Sequence, residues 1–184
     1  LLEWDRIVLE FINQTFTNGL FDAVFEFVRN KYVWVPLYIF LLSFMWINYK
    51  IEGFIISLFI IGAVALSDQI SSGIIKEAVG RARPCNASDL PFQVRTIVGC
   101  GGSPSFTSSH AANHFALAGV LASIMGSKMK WVGPVFYTWA FIISYAQVYV
   151  GVHYPLDVIA GGLLGIILGK LVGFIAKLIT GFRP

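Results

Sequence analysis

Long apolar runs constrain this chain before anything else does. Crossing the ~30 Å hydrocarbon layer of a bilayer takes roughly 20 mostly apolar residues. Residues 32–49, 53–75, 110–126, 131–150 and 156–178 each approach that length with few charges. Only 12% of the 184 residues are charged and 57% are hydrophobic, too little charge to keep a soluble domain of this size dispersed. The expected fold is therefore all-α, a polytopic membrane helix bundle of about five transmembrane helices, because backbone polar groups in lipid must be satisfied within each helix.

Ahead of the first run, LLEWDRIVLEFINQTF spaces Leu2, Ile7, Leu9, Phe11 and Ile12 among acids and polar residues, as a helix lying along the interface would. NGLFDAVFEFVRNKY reads as a second such helix, with Tyr32, Trp34 and Tyr49 as interfacial anchors. Residues 1–30 are thus expected to be interfacial, and 1–184 to form a single membrane-embedded domain. Glu3, Asp5 and Arg6 in the opening stretch leave no intact signal peptide visible. The net charge of +3 comes without a continuous basic stripe, which argues against nucleic acid as a partner.

Links between the runs are short except for residues 76–109, a polar, glycine-rich and proline-containing stretch of the kind that is usually functional. Five crossings would put this loop, the amino-terminal region and residues 150–155 on one face, and Lys50, Lys128, Lys130, Lys177 and Arg183 on the other. Basic residues occur on both faces, so the charge rule alone does not orient the chain. The only two cysteines, Cys85 and Cys100, both fall in the long loop. Paired, they indicate an oxidising, non-cytoplasmic side and contribute about 3 kcal/mol in the chain-entropy model; two unlinked thiols are the alternative.

Three reactive clusters map to that same face. KEAVGRARP closes the second run with Lys76, Arg81 and Arg83 before Pro84, a pattern that by itself also suits snorkelling anchors or headgroup contacts. GCGGSPSFTSSHAANHF runs a glycine and serine loop into a helix beginning near Ser108, where free N–H groups and the helix dipole favour an anion. Ser108 or Ser109 as N-cap needs no ligand, but His110 in the first turn gains nothing from the dipole as a cation. QVYVGVHYPLDVIAGG holds His153, Pro155 and Asp157; helix-start preferences explain the last two and leave His153 unexplained. Beyond Asp157, Gly161, Gly165, Gly169 and Gly173 recur every four residues and let a second helix approach closely.

These parts suit phosphoryl transfer. A carboxylate that accepts Nδ1–H of a histidine leaves the Nε2 lone pair free to attack phosphorus, and a second, protonated histidine supplies the leaving group's proton. Basic side chains and backbone N–H groups balance the charge on the equatorial oxygens.

In order, the clusters resemble the type 2 phosphatidic acid phosphatase superfamily, whose signature is K-x6-RP, PSGH and SR-x5-H-x3-D. Lys76, Arg83 and Pro84 complete the first element, Thr107-Ser108-Ser109-His110 stands for the second, and Ala146-Gln147 precedes His153 and Asp157 in the third. The resemblance covers roughly residues 53–175. It implies His153 as nucleophile, Asp157 as its orienting partner, His110 as general acid, and Lys76, Arg83, Ser108, Ser109 and Gln147 around the phosphate, with no metal and no cofactor. Gln147 stands where the family has arginine and offers hydrogen bonds without charge; Arg81 or Arg95 is an accessory candidate to replace it. Asp68, inside the second run, reads equally as a functional acid or a packing hydrogen bond.

The function so implied is removal of the terminal phosphate from a lipid phosphate or diphosphate: undecaprenyl diphosphate, phosphatidylglycerophosphate, phosphatidate or a lipid A phosphate. The small core favours the first two. The expected setting is a bacterial inner membrane, with the site facing the periplasm or exterior and no obligate protein partner. Alternatives are a lipid phosphotransferase and a non-catalytic lipid-binding protein retaining the fold. The related soluble vanadium haloperoxidases do not suit five crossings, and zinc at His110 and His114 lacks a third ligand.

Overall fold

The computed structural model describes residues 3–182, so Leu2 and Arg183, named above, lie outside the described residues. Among these residues every regular element is helical and there is no strand. Helix α1 (Glu3–Glu10) continues into a wider turn over Phe11–Thr15, and α2 (Gly19–Arg29) starts on an Asn18 cap whose side chain accepts from the Phe21 N–H. Both turn apolar residues outward, Ile7, Phe11, Leu20 and Phe27 among them, while Asp5 and Asn13 are 0% exposed. An interfacial helix with lipid on one side and protein on the other sorts its residues this way. The amino-terminal segment is therefore docked on the bundle through its polar face, with its apolar residues turned outward.

A short turn over Lys31–Trp34 leads into α3 (Val35–Asp68). The helix is broken at Lys50, whose φ of 53° is not helical, and the chain doubles back there. A Cβ on Gly53 would lie 1.9 Å from the Met45 carbonyl oxygen, so glycine is what allows the two arms to meet. Leu41 and Met45 of the first arm share a core with Ile56 and Ile60 of the second. The second arm runs on through Gln69–Ile75 with a wider winding and ends in α4 (Lys76–Val79), stopped by Gly80 at φ 61°. Then come a turn over Pro84–Asn86, the long loop, and helices α5 (Ser109–Met125), α6 (Val132–Tyr149) and α7 (Pro155–Thr180).

Helix α5 is central, buried along most of its length. Its seam with α7 depends on the glycine ridge: a Cβ at Gly165 would come within 2.2 Å of the Ala112 carbonyl oxygen, and one at Gly169 within 2.3 Å of that of Ala116. Among the described residues, two helical runs are long and apolar enough to cross a bilayer, Lys31–Asn86 and Pro155–Thr180, fewer than the five segments expected. The first contains the Lys50 reversal and so supplies two arms. Helices α5 and α6, at 17 and 18 residues, are shorter, and α5 meets other helices rather than lipid.

Candidate active site

The site lies where the start of α5, the start of α7, the end of α6 and the long loop converge. Ser108 caps α5, its hydroxyl accepting from the Ala111 N–H, and its own N–H donates to the Asp157 carbonyl at 3.0 Å. Gly161 makes that seat possible, because a Cβ there would reach the Ser108 carbonyl oxygen at 2.5 Å. The N–H groups of Val152 and His153 both donate to the Gln147 carbonyl at 3.2 Å, folding the α6–α7 link back over the end of α6.

His153 is buried, and its Nδ1 lies 3.4 Å from Oδ2 of Asp157 and 3.4 Å from Oγ of Ser105. Oδ2 of Asp157 also accepts from the Tyr154 N–H at 2.9 Å and from the Ser105 hydroxyl. Oδ1 accepts from Arg81 at 2.5 Å. The carboxylate is thus held by fixed donors, and Nδ1–H of the imidazole faces it. Burial lowers the His153 pKa from 6.5 to about 4, a shift that the Asp157 hydrogen bond and charge only partly oppose. The ring is neutral at physiological pH, the state a nucleophile needs.

Two other cations flank it, each anchored to the loop. Lys76 donates to the Pro104 carbonyl at 2.8 Å, and Arg83 to the Ser103 carbonyl at 2.8 Å, the Ser103 hydroxyl at 3.0 Å and the Val152 carbonyl at 3.3 Å. Ser109 meets the Ser72 hydroxyl at 2.8 Å and the Ser71 hydroxyl at 3.1 Å, so its side chain ties α5 to the second arm. Cys85 and Cys100 form a disulfide across 15 residues and close this loop.

His110 lies at the boundary of two cavities. One, of about 610 Å³, runs into the bundle between apolar residues such as Leu41, Ile60 and Leu117. The other, of about 410 Å³, opens among Glu26, Arg29, Asn30 and Tyr32. His114 donates from Nδ1 to the His110 carbonyl at 2.7 Å, which leaves its Nε2 to accept from the Tyr38 hydroxyl at 3.1 Å. Asp68 accepts from Asn113 at 2.8 Å in the wall of the larger cavity.

Each accessory arginine is paired with carboxylates. Arg81 bridges Asp157 and Asp5, each at 2.5 Å, and stacks on the Tyr154 ring 3.8 Å from its centre. Arg95 pairs with Asp22, which also accepts from the Tyr149 hydroxyl at 2.7 Å.

Sequence reading missed the amino-terminal contribution. Asp5 accepts from the Leu156 N–H at 2.8 Å as well as from Arg81, and so braces both the start of α7 and the cation behind Asp157. Asn13 donates to the Arg95 and Tyr149 carbonyls, each at 2.8 Å, fastening the loop to the end of α6. Arg29 donates to Oε1 of Gln147 at 3.5 Å. The available signal was weak: polar residues on the helices, with nothing to say which way they faced.

A family model described as the PAP2 superfamily matches residues 54–176. The chain is 33% identical over 175 residues to the lipid A 4'-phosphatase of Bacteroides thetaiotaomicron, covering 90% of this chain and 76% of that protein. Among solved structures, the phosphatidylglycerolphosphate phosphatase of Bacillus subtilis superposes with a TM-score of 0.75 at 20% identity, covering 98% of this chain and 88% of that one. Aquifex aeolicus LpxE gives a TM-score of 0.65 at 30% identity, covering 90% and 92%.

Proposed function

The chain belongs to the PAP2 superfamily, and from that premise we propose that it is an integral-membrane lipid phosphatase working through a phosphohistidine on His153. One observation carries this reading: a buried, neutral imidazole whose Nδ1 faces a carboxylate held by Arg81, Ser105 and the Tyr154 N–H, with Lys76 and Arg83 anchored in the adjoining loop. The carboxylate orients the ring and balances the charge it gains on bonding to phosphorus.

In the first step Nε2 of His153 attacks phosphorus, the bond from phosphorus to the lipid oxygen breaks, and His110 gives its proton to that oxygen. A bound phosphate beside His110 favours the protonated imidazole this requires. Lys76, Arg83, Gln147, Ser108 and the backbone near Ser109 hold the phosphoryl oxygens. In the second step water returns a proton to His110 and attacks phosphorus, the N–P bond breaks, and inorganic phosphate leaves.

The two cavities at His110 fit a substrate with an apolar body and an anionic end. The larger one also carries polar groups close to that end, the Asp68–Asn113 pair and the Tyr38 hydroxyl on His114. Oδ1 of Asn113 is buried without a donor among the described residues; a hydroxyl or amide N–H of a phosphorylated sugar lipid would satisfy it, whereas an isoprenyl chain would not. With the name of the Bacteroides relative, this moves the preferred substrate to a lipid A phosphate, ahead of undecaprenyl diphosphate and phosphatidylglycerophosphate. We take residues 1–184 as one catalytic unit with about five crossings, its disulfide-closed loop on the non-cytoplasmic face of a bacterial inner membrane.

Phosphate release by the purified protein over a panel of lipid phosphates tests the reading: a lipid A phosphate should be hydrolysed fastest, and His153→Ala should be inactive while folded. Release that survives His153→Ala would reject the mechanism. Label from a labelled donor appearing on an acceptor lipid would instead identify a phosphotransferase.

A further inference from the structure

Arg29 and Gln147 present two buried donors with nothing to donate to. Gln147 is 1% exposed at the end of α6. An arginine only donates, so its contact with Gln147 fixes the amide: Oε1 faces Arg29 and Nε2 turns away. Both Gln147 Nε2 and Arg29 Nε are buried without an acceptor among the described residues. Leaving two such groups unserved is unfavourable, the more so for a charged one, and a ligand with several acceptor oxygens would remove that cost.

The surroundings say what that ligand is. Arg29 and His110 line the same polar cavity, with Glu26 the one acid among its lining residues. Burial lowers the Arg29 pKa, the nearby Arg83 guanidinium lowers it further, and Glu26 opposes the shift. Among the described residues Arg29 makes no salt bridge, in contrast to Arg81 and Arg95. A half-buried guanidinium next to a second guanidinium and a histidine is a site arranged for a multiply charged oxyanion.

We propose that Arg29, reaching in from the interfacial helix α2, supplies the phosphate-clamping charge that Gln147 lacks, and that the two side chains bind one phosphoryl group together, Arg29 through its guanidinium and Gln147 through Nε2. The inference rests on the phosphatase reading and adds to it a residue outside the stretch matched by the family model. It also makes the seating of α2 at the membrane surface a condition for phosphate binding.

The test compares wild type, Arg29→Gln, Arg29→Gln with Gln147→Arg, and His153→Ala, each as the full chain in detergent, by lipid phosphate turnover and by inhibition with inorganic phosphate. Arg29→Gln should lower kcat/KM about 100-fold and weaken phosphate inhibition at least about tenfold, and adding Gln147→Arg should restore at least about tenfold of the loss. Arg29→Gln within about threefold of wild type, or a loss of turnover with phosphate inhibition unchanged, overturns the proposal. So does failure of Gln147→Arg to restore any of the loss. His153→Ala separates the two claims, because its inactivity upholds the phosphatase reading whatever Arg29 does. If Arg29→Gln does not fold, Gln147→Glu decides: a carboxylate facing the anion must abolish phosphate inhibition, and unchanged inhibition overturns the proposal.

Discussion

Asp5 and Asp157 are 152 residues apart in sequence, yet one guanidinium, that of Arg81, donates to both at 2.5 Å. Both carboxylates are 0% exposed. Removing one partner of a buried ion pair typically costs about 3–5 kcal/mol, because the remaining charge stays buried. Arg81 therefore holds Asp157, the proposed orienting group of His153, in place and is itself held by the amino-terminal helix.

Asp5→Asn keeps the shape and an oxygen for the Leu156 N–H but removes the charge opposite Arg81. It should lower kcat about tenfold with KM nearly unchanged, since Asp5, fully buried against Arg81 and the Leu156 N–H, acts through the support of the proposed nucleophile. A rise in KM with kcat preserved would contradict this. Arg81→Ala should show mainly as lost stability in a thermal melt, and Arg83→Ala as lost phosphate binding in a folded protein.

The pH profile should carry the mark of a buried nucleophile. Burial favours the neutral ring, so the His153 pKa falls from 6.5 to about 4. Its contribution to kcat/KM should be flat above about pH 5 and drop tenfold per unit below about pH 4. Stability runs with the same sign. Between 6.5 and about 4 the unfolded histidine takes a proton that the folded one refuses, so stability declines as pH falls through that window. An acid limb in kcat/KM that tracks His153 near pH 6.5 would contradict the burial argument.

Helix approach along the α5–α7 seam predicts a sharp contrast between glycines. Gly165→Ala puts a methyl 2.2 Å from the Ala112 carbonyl oxygen and forces the helices apart, which should lower the melting temperature and cost about 1–3 kcal/mol. Gly62→Ala meets nothing within 4 Å and should be neutral or slightly stabilising. Equal effects at the two positions would contradict the packing described.

The parts of the site written in short spacings were legible in the sequence. Lys76 with Arg83 and Pro84, and His153 with Asp157, sit close along the chain, so spacing marks them as neighbours, while Ser103, Pro104 and Ser105 of the loop fix where they point. The chain reversal between Tyr49 and Gly53 and the glycine ridge of α7 were also readable, because helix periodicity and close packing leave local traces. What spacing could not show were the contacts made across the fold. Arg81 reaches Asp5 and Asp157 across 76 residues each, Asp5 reaches the Leu156 N–H across 151, and Arg29 reaches Gln147 across 118. An amphipathic pattern locates the apolar face of α1 and α2 but does not say whether the opposite face meets water or protein. For the same reason Arg81 and Arg95 read as candidates for the phosphate, when carboxylates on other segments hold them.

The most direct test of the account is to look for the covalent intermediate. Wild-type protein mixed with a labelled lipid phosphate, quenched under alkaline conditions and digested, should yield one phosphorylated peptide with the phosphoryl group on His153. The label should be lost in acid, as a phosphohistidine loses it, and should be absent from His153→Ala. Full turnover with no labelled peptide, or label on another residue that persists in His153→Ala, would contradict the account.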